Sequence, residues 1–262
     1  MQASALLRIH LFDPFDVQLG MRPPLDEKFP RRKAKALFVY LYLNRGRWVS
    51  KYQLLAELWP ESEHADPGRV KHTVQILRAA LEGPRQAKGW QVILENGGFY
   101  AFNAAAERWS DVEEFEDELP RARRARDDGE IEAAREHFRR VLELRRGPFL
   151  AEFRYDDWAA VEIARQHDLY LQALEEAARL ELNAGNYTGA TELSRMAIRE
   201  DPLHETSYVD LMRALWLDGR RTDALREYLR LRDVLAKRLD VEPQAQTTQL
   251  YDAIRHDSAL AV

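Results

Sequence analysis

Cysteine does not occur in the 262 residues, so disulfides, thiolate metal sites and cysteine nucleophiles are excluded together. No run of about 18 apolar residues exists to span a bilayer. The apolar stretch inside MQASALLRIHLFDPFD is too short and too interrupted for a signal peptide. The expectation is a soluble, cytoplasmic chain without a membrane partner. Catalytic signatures are missing as well: there is no G-x-x-x-x-G-K-[ST], no G-x-S-x-G and no H-E-x-x-H. The seven histidines, at 10, 64, 72, 137, 167, 204 and 256, lack ligand spacing. Asp156-Asp157 is a paired carboxylate, read as a helix cap. No catalytic residue, metal or cofactor is expected, and the chain does not read as an enzyme.

What is present describes an ordinary globular protein of one or two domains, 45% hydrophobic and 10% aromatic. The net charge of −5 is unevenly spread. Residues 1–105 hold 15 Lys/Arg against 10 Asp/Glu, a net of +5, and residues 106–262 hold 24 against 34, a net of −10. A basic first part joined to an acidic second part suits one domain on a polyanion and another that is not.

Leu7, Ile9 and Leu11 alternate with Arg8 and His10 as a half-buried strand. Asp13-Pro14 breaks it, and Phe15–Leu19 gives a second strand, so a small antiparallel sheet precedes the helices. Pro30 opens a helix with Ala34, Leu37, Phe38, Leu41 and Tyr42 on one face. Arg31, Arg32, Lys33 and Lys35 load its first turns, the unfavourable end for cations. Either plain solvation or a nearby anion, a phosphate among them, accounts for that. Asn44-Arg45-Gly46 ends this helix. Ser50 caps the next, with Gln53 as capping-box partner and Leu54, Leu55 and Leu58 inward; Trp59-Pro60 closes it.

A polar loop, Glu61–Ala65, leads to the stretch that carries the functional expectation, DPGRVKHTVQILRAALEGPRQAKGWQVILENGGFYAFN (66–103). Asp66 is placed as N-cap and Pro67 at the first helical position. Val70, Val74, Leu77 and Leu81 form a narrow apolar stripe, leaving Arg69, Lys71, His72, Thr73, Gln75 and Arg78 outside it. Gly83-Pro84 stops the helix. Two β-like runs follow, Trp90–Leu94 and Phe99–Phe102, around Asn96-Gly97-Gly98. A basic helix followed at once by a hairpin reads as a recognition helix and its wing.

From Gly129 onward the period is helical, with an internal repeat. Gly185, Tyr187, Ala190, Ala197 and Pro202 fit the second part of a tetratricopeptide unit, and Gly219 and Ala224 lie thirty-four residues beyond Gly185 and Ala190. The small–aromatic pair appears as Ala134/Phe138 and Ala224/Tyr228; Ser194 replaces the aromatic in the middle copy.

The run KALFVYLYLNRGRWVSKYQLLAELWP, then RVKHTVQILRAALE and a hairpin closing on Tyr100-Ala101-Phe102, resembles the winged-helix output domain of response regulators (OmpR/PhoB-type). More closely it resembles the first domain of the SARP-type bacterial transcriptional activators. VEEFE at 112–116, RGPFLAEF at 146–153, Trp158 with Glu162 and Arg165, and DPLHE at 201–205 are similar to the bacterial transcriptional activator domain (BTAD) that follows it in that family. The resemblance covers about residues 5 to 255.

It implies a mainly α protein with a small β component. A winged helix-turn-helix at 1–105, with an N-terminal antiparallel sheet and a C-terminal hairpin, precedes an all-α, TPR-like BTAD at 106–262. Double-stranded DNA is the implied partner. Arg69, Lys71, His72, Thr73, Gln75 and Arg78 contact it from the helix and Asn96 from the wing; Gln75 suits adenine, Arg69 or Lys71 guanine, and Arg78 the backbone. His72 is read equally well as a plain surface residue. Glu61 and Glu63 lie where related domains contact RNA polymerase, a plain polar connector being the alternative. Ile76 and Ala101 stand where relatives often carry arginine, so cooperative binding to direct repeats would have to compensate. The helical domain is left with dimerisation, a small-molecule effector or polymerase contact. The opposing reading is a protein-interaction or ligand-sensing module, cut from a larger regulator, whose winged helix does not read DNA.

Overall fold

The computed structural model describes residues 6–20, 32–61, 66–83 and 91–256, which fall into two compact units. The first comprises Met1–Glu116 with Leu144–Gln166, the second Asp117–Glu143 with His167–Val262. Set beside the expected order of domains, 1–105 then 106–262, the packing gives 106–116 and 144–166 to the first unit.

In the first unit, β1 (Leu7–His10) pairs antiparallel with β2 (Asp16–Leu19), as the alternation predicts. A strand that the pattern does not announce, β6 (Arg108–Ser110), adds parallel to the other edge of β1, giving the order β2-β1-β6. Helix α1 (Arg32–Leu43) is the core element; Pro30, its expected start, lies outside the described residues. Ala36, Val39 and Tyr40 are buried along with the five residues of the expected face. A helix apolar on all sides belongs in an interior. Phe102 packs edge-on against Phe38 and Tyr42, with centroids 6.0 and 5.3 Å away.

Of the four cations expected at the start of α1, Arg31 lies outside the described residues and the other three find partners within the unit. Arg32 pairs with Asp156 and Lys35 with Glu152 at 3.1 Å, while Lys33 donates to the carbonyl of Leu58. Partners within the unit account for the placement of these three. Asp156 thus stands one residue before the helix beginning at Asp157, with its carboxylate turned to Arg32.

After β3 (Val49–Ser50) comes α2 (Lys51–Leu58), where Ser50 Oγ accepts from the Gln53 N–H at 3.1 Å. The capping box is half formed: the Gln53 amide donates to the Tyr40 hydroxyl at 3.2 Å. Leu54, Leu55 and Leu58 are buried as expected. Next are α3 (Gly68–Glu82) and the hairpin β4 (Ile93–Asn96) and β5 (Phe99–Phe102), which with β3 forms a second sheet in the order β3-β5-β4. Helix α4 (Asp111–Asp127) starts at a buried carboxylate. Asp111 accepts the N–H of Val112 at 2.8 Å, of Leu11 at 2.9 Å and of Phe12 at 3.1 Å. The RGPFLAEF run closes this unit: Leu150 N–H donates to Leu11 at 2.9 Å, and Phe149 meets Phe12 with centroids 5.9 Å apart.

The second unit holds the rest of α4, α5 (Ile131–Leu144), the greater part of α6 (Asp157–Asn183), α7 (Tyr187–Glu200), α8 (Glu205–Leu217), α9 (Arg221–Leu239) and α10 (Ala245–His256). Three turns share one geometry. Gly129, Gly185 and Gly219 have φ of 78°, 76° and 76°, and after each the next N–H reaches back five residues, to Ala125, Glu181 and Leu215. This is the Schellman closure that glycine permits at a helix end. Five residues beyond each glycine an alanine is buried (Ala134, Ala190, Ala224), and Phe138, Ser194 and Tyr228 follow one turn on, also buried. The repeat therefore has three copies, the first complete in its turn as well as its packing.

Candidate nucleic-acid interface

Asp66 Oδ1 accepts the Gly68 N–H at 2.8 Å, and Pro67 stands just before the helix rather than as its first residue. Val70, Val74, Leu77 and Leu81 are sealed against the core, while Arg69, Lys71, His72, Gln75 and Ala79 are exposed. At 100° per residue, Gly68, His72, Gln75 and Ala79 lie along one ridge, with Lys71 and Arg69 on either flank. That ridge is a rod about 15 residues long with amide, imidazole and cationic groups outward.

Two expected contact residues point the other way. Thr73 is 9% exposed, and its hydroxyl donates to the Arg69 carbonyl at 2.8 Å. Arg78 is 5% exposed; its Nε and Nη2 donate to the Ile93 carbonyl at 3.1 and 2.9 Å, and its Nη1 meets Glu95 at 3.0 Å. They fall outside the apolar stripe but within the arc covered by the body of the unit, where the hairpin supplies acceptors. One turn on, the Glu82 carboxylate accepts the N–H of Gln91 at 2.6 Å and of Val92 at 3.0 Å. Arg78 and Glu82, four apart on one side of α3, thus hold the hairpin by its unpaired backbone groups. Glu82 carries no signal of this role in the sequence; a buried acid at a helix end looks like any surface glutamate until the strand it caps is in place.

Asn96 is exposed at the hairpin tip, opposite Phe99 in register. Gly97 (φ 57°) and Gly98 (φ 83°) form a two-residue turn with both central residues left-handed, the type I′ geometry that matches strand twist. Phe99, Trp48 and Tyr52 leave large aromatic surfaces exposed nearby in sequence or pairing. Glu61 is exposed after α2; Glu63 lies outside the described residues. Among the described residues no group of three or more His, Asp and Glu is placed to hold a metal ion, and no helix is long and apolar enough to cross a membrane.

The chain is similar to known proteins over both of its parts. Residues 110–255 match the model of the bacterial transcriptional activator domain, and residues 30–100 that of the transcriptional regulatory protein, C-terminal family. The chain is 31% identical over 229 residues to the regulatory protein DnrI of Streptomyces peucetius, covering 85% of this chain and 84% of that one. It is 30% identical over 228 residues to the regulatory protein AfsR of Streptomyces coelicolor, but spans only 22% of its length. Among solved structures it resembles Mycobacterium tuberculosis EmbR in complex with a low-affinity phosphopeptide. The TM-score is 0.82 at 23% identity, over 98% of this chain and 66% of that chain, a likeness of fold.

Proposed function

The chain belongs to the SARP-type family of bacterial transcriptional activators, DNA-binding regulators, and from that premise we propose that α3 enters the major groove of promoter DNA. The observation that carries this is the division of α3 into a sealed stripe and an outward ridge. On that ridge Gln75 is shaped to take adenine through its amide, and Lys71 and Arg69 flank it for phosphate or guanine. His72 shares the ridge with Gln75. Asn96 on the wing reaches the backbone or the minor groove. Thr73 and Arg78 act indirectly, by shaping the helix and fixing the hairpin.

In this reading residues 1–105 are the reader and 106–262 the helical partner domain, with 106–116 and 144–166 packed into the reader's unit. The reader works by position: it sets the protein beside the promoter, and the loop carrying Glu61 and Glu63 offers acidic side chains to a basic surface of RNA polymerase. Three stacked helical repeats suit dimerisation on direct repeats or reception of a small effector. These are roles of a cytoplasmic regulator and not of an enzyme.

The test is to select bound fragments from genomic DNA and titrate the tightest with salt. Lys71→Ala should lower the log–log salt slope by about 1, because one phosphate is then no longer neutralised by the protein. Gln75→Ala should relax choice at one base pair, costing about 1–3 kcal/mol on the preferred site. Unchanged slope and unchanged preference in both variants would remove α3 as the reader. The alternative, a ligand-sensing module, predicts thermal stabilisation by a metabolite with no fragment bound.

A further inference from the structure

The sequence from Ile93 to Phe102, ILENGGFYAF, contains no lysine or arginine, so the wing lacks the usual means of holding a phosphate or a narrow minor groove. What it offers instead is one large apolar ring. Phe99 is 47% exposed, whereas its neighbour Tyr100, on the opposite face of the strand, is 2% exposed. Its register partners are polar, Asn96 on one side and Ser50 on the other, so neither paired neighbour gives the ring apolar cover.

The backbone that carries the ring is held on both sides. Strand β5 is the central strand of its sheet, bonded on both edges, and Phe99 follows directly on the two-glycine turn. Beside that turn the Lys51 N–H donates to the Gly98 carbonyl at 3.0 Å, and the Lys51 ammonium lies 5.1 Å from the Tyr52 ring centroid. The Lys51 ammonium also stands 4.0 Å from where a side chain on Gly98 would begin, so a cation lies beside the turn that precedes Phe99. Arg78 and Glu82 clamp the hairpin to α3, fixing how far the ring stands from the reading ridge. On a duplex, the groove next to the one a helix enters is the minor groove.

From this arrangement we infer that Phe99 is a wedge. It inserts from the minor groove between two base pairs, at a flexible pyrimidine–purine step, and kinks the duplex while Lys51 holds the adjoining phosphate. Apolar side chains used this way unstack a step and bend DNA toward the major groove. TA and CA/TG steps yield most readily, so the wedge adds sequence preference at a position no hydrogen bond reads. The proposal rests on the DNA-reading function of α3 and adds to it a second, apolar determinant.

The experiment uses the full chain and a selected fragment, with either a TA step or an A-tract at the position the wing protects from hydroxyl radicals. Bending is read by circular permutation. The wild type should bend the TA fragment and prefer it to the A-tract by roughly tenfold. Phe99→Ala should lose both bend and preference while keeping the protection given by α3; Phe99→Leu should keep both. Tyr155→Ala, 83% exposed and outside the hairpin, should change neither. A Phe99→Ala protein that still bends and still prefers the TA step overturns the wedge, as does equal loss in Tyr155→Ala. A wild-type chain that binds no fragment overturns the reading of α3 itself, a failure distinct from straight, tightly bound DNA.

Discussion

Arg78 gives two N–H groups to one carbonyl, that of Ile93, at 3.1 and 2.9 Å. The pair joins the middle of α3 to the first residue of the wing. A guanidinium spent in this way cannot also sit on a phosphate, which moves the residue from contacting DNA to placing the wing. Arg78→Ala leaves a buried carbonyl without its donors, at a cost of about 1–3 kcal/mol. Lysine cannot reproduce the fork, so Arg78→Lys should recover little of this. Denaturant unfolding measures the stability loss. The salt slope of DNA binding should stay at its wild-type value, while hydroxyl-radical protection by the wing weakens. A slope reduced by about 1 would return Arg78 to the phosphate contacts.

Asp111 offers a second case of one side chain fastening distant segments. Its carboxylate, 2% exposed, takes backbone N–H groups from Leu11 and Phe12 as well as from its own helix start. Asp111→Ala strands three buried donors, and each unsatisfied group costs about 1–3 kcal/mol. The change should therefore unfold the first unit or leave it marginal. Asp111→Asn keeps one acceptor oxygen and should lie in between. Circular dichroism melts of the two variants give the order; equal stability of Asp111→Ala and wild type would contradict the assignment.

These two residues mark where the sequence stops being legible. The periodicity of α1, the Ser50 cap, the apolar stripe of α3 and the Gly97-Gly98 turn are local, set by residues within a turn or two of each other, and each appears where the pattern puts it. Arg78 lies outside the stripe by angle alone, and only the return of the hairpin turns its surroundings into an interior. Strand β6 is missed for a related reason: three residues, Arg108–Ser110, carry too little alternation to announce a strand, and their pairing partner is about a hundred residues away. The RGPFLAEF run is recognisable as a motif, yet nothing within it says that Phe149 will meet Phe12. The outward residues Lys71, His72 and Gln75 are legible because exposure on a helix follows from spacing.

Ser194 replaces an aromatic at the middle copy of the repeat, and its hydroxyl is buried without a hydrogen-bond partner among the described residues. A buried hydroxyl with no partner forfeits its hydration for nothing in return. Ser194→Ala should be neutral or stabilise by up to about 1 kcal/mol, against the usual direction for a core substitution. Ser194→Phe, which restores the repeat pattern, should instead destabilise by about 1–3 kcal/mol, because the neighbouring helices have closed around a small residue. Urea midpoints of the three proteins decide it. A loss of stability in the alanine variant would mean that an ordered water completes the site.

Asp210, on α8, is buried beside Arg179, whose Nε lies 3.2 Å from Oδ2, while Oδ1 has no partner among the described residues. Burial raises its carboxyl above its ordinary value, and the Arg179 charge opposes that only in part. The folded chain therefore keeps a proton that the unfolded chain releases at its ordinary pKa near 3.8. With more protons bound in the native state, stability falls as pH rises from that value through the raised one, then levels off. Asp210→Asn cannot ionise and should remove this part of the slope, so that its stability relative to wild type improves on going from about pH 4 to neutrality. Arg179→Met takes away the opposing charge and should extend the window upward, so that more stability is lost before the curve levels off. Urea unfolding across that range, followed for all three proteins, is the measurement. An identical pH dependence in Asp210→Asn and wild type would show that the ion pair fully offsets the burial of the carboxyl.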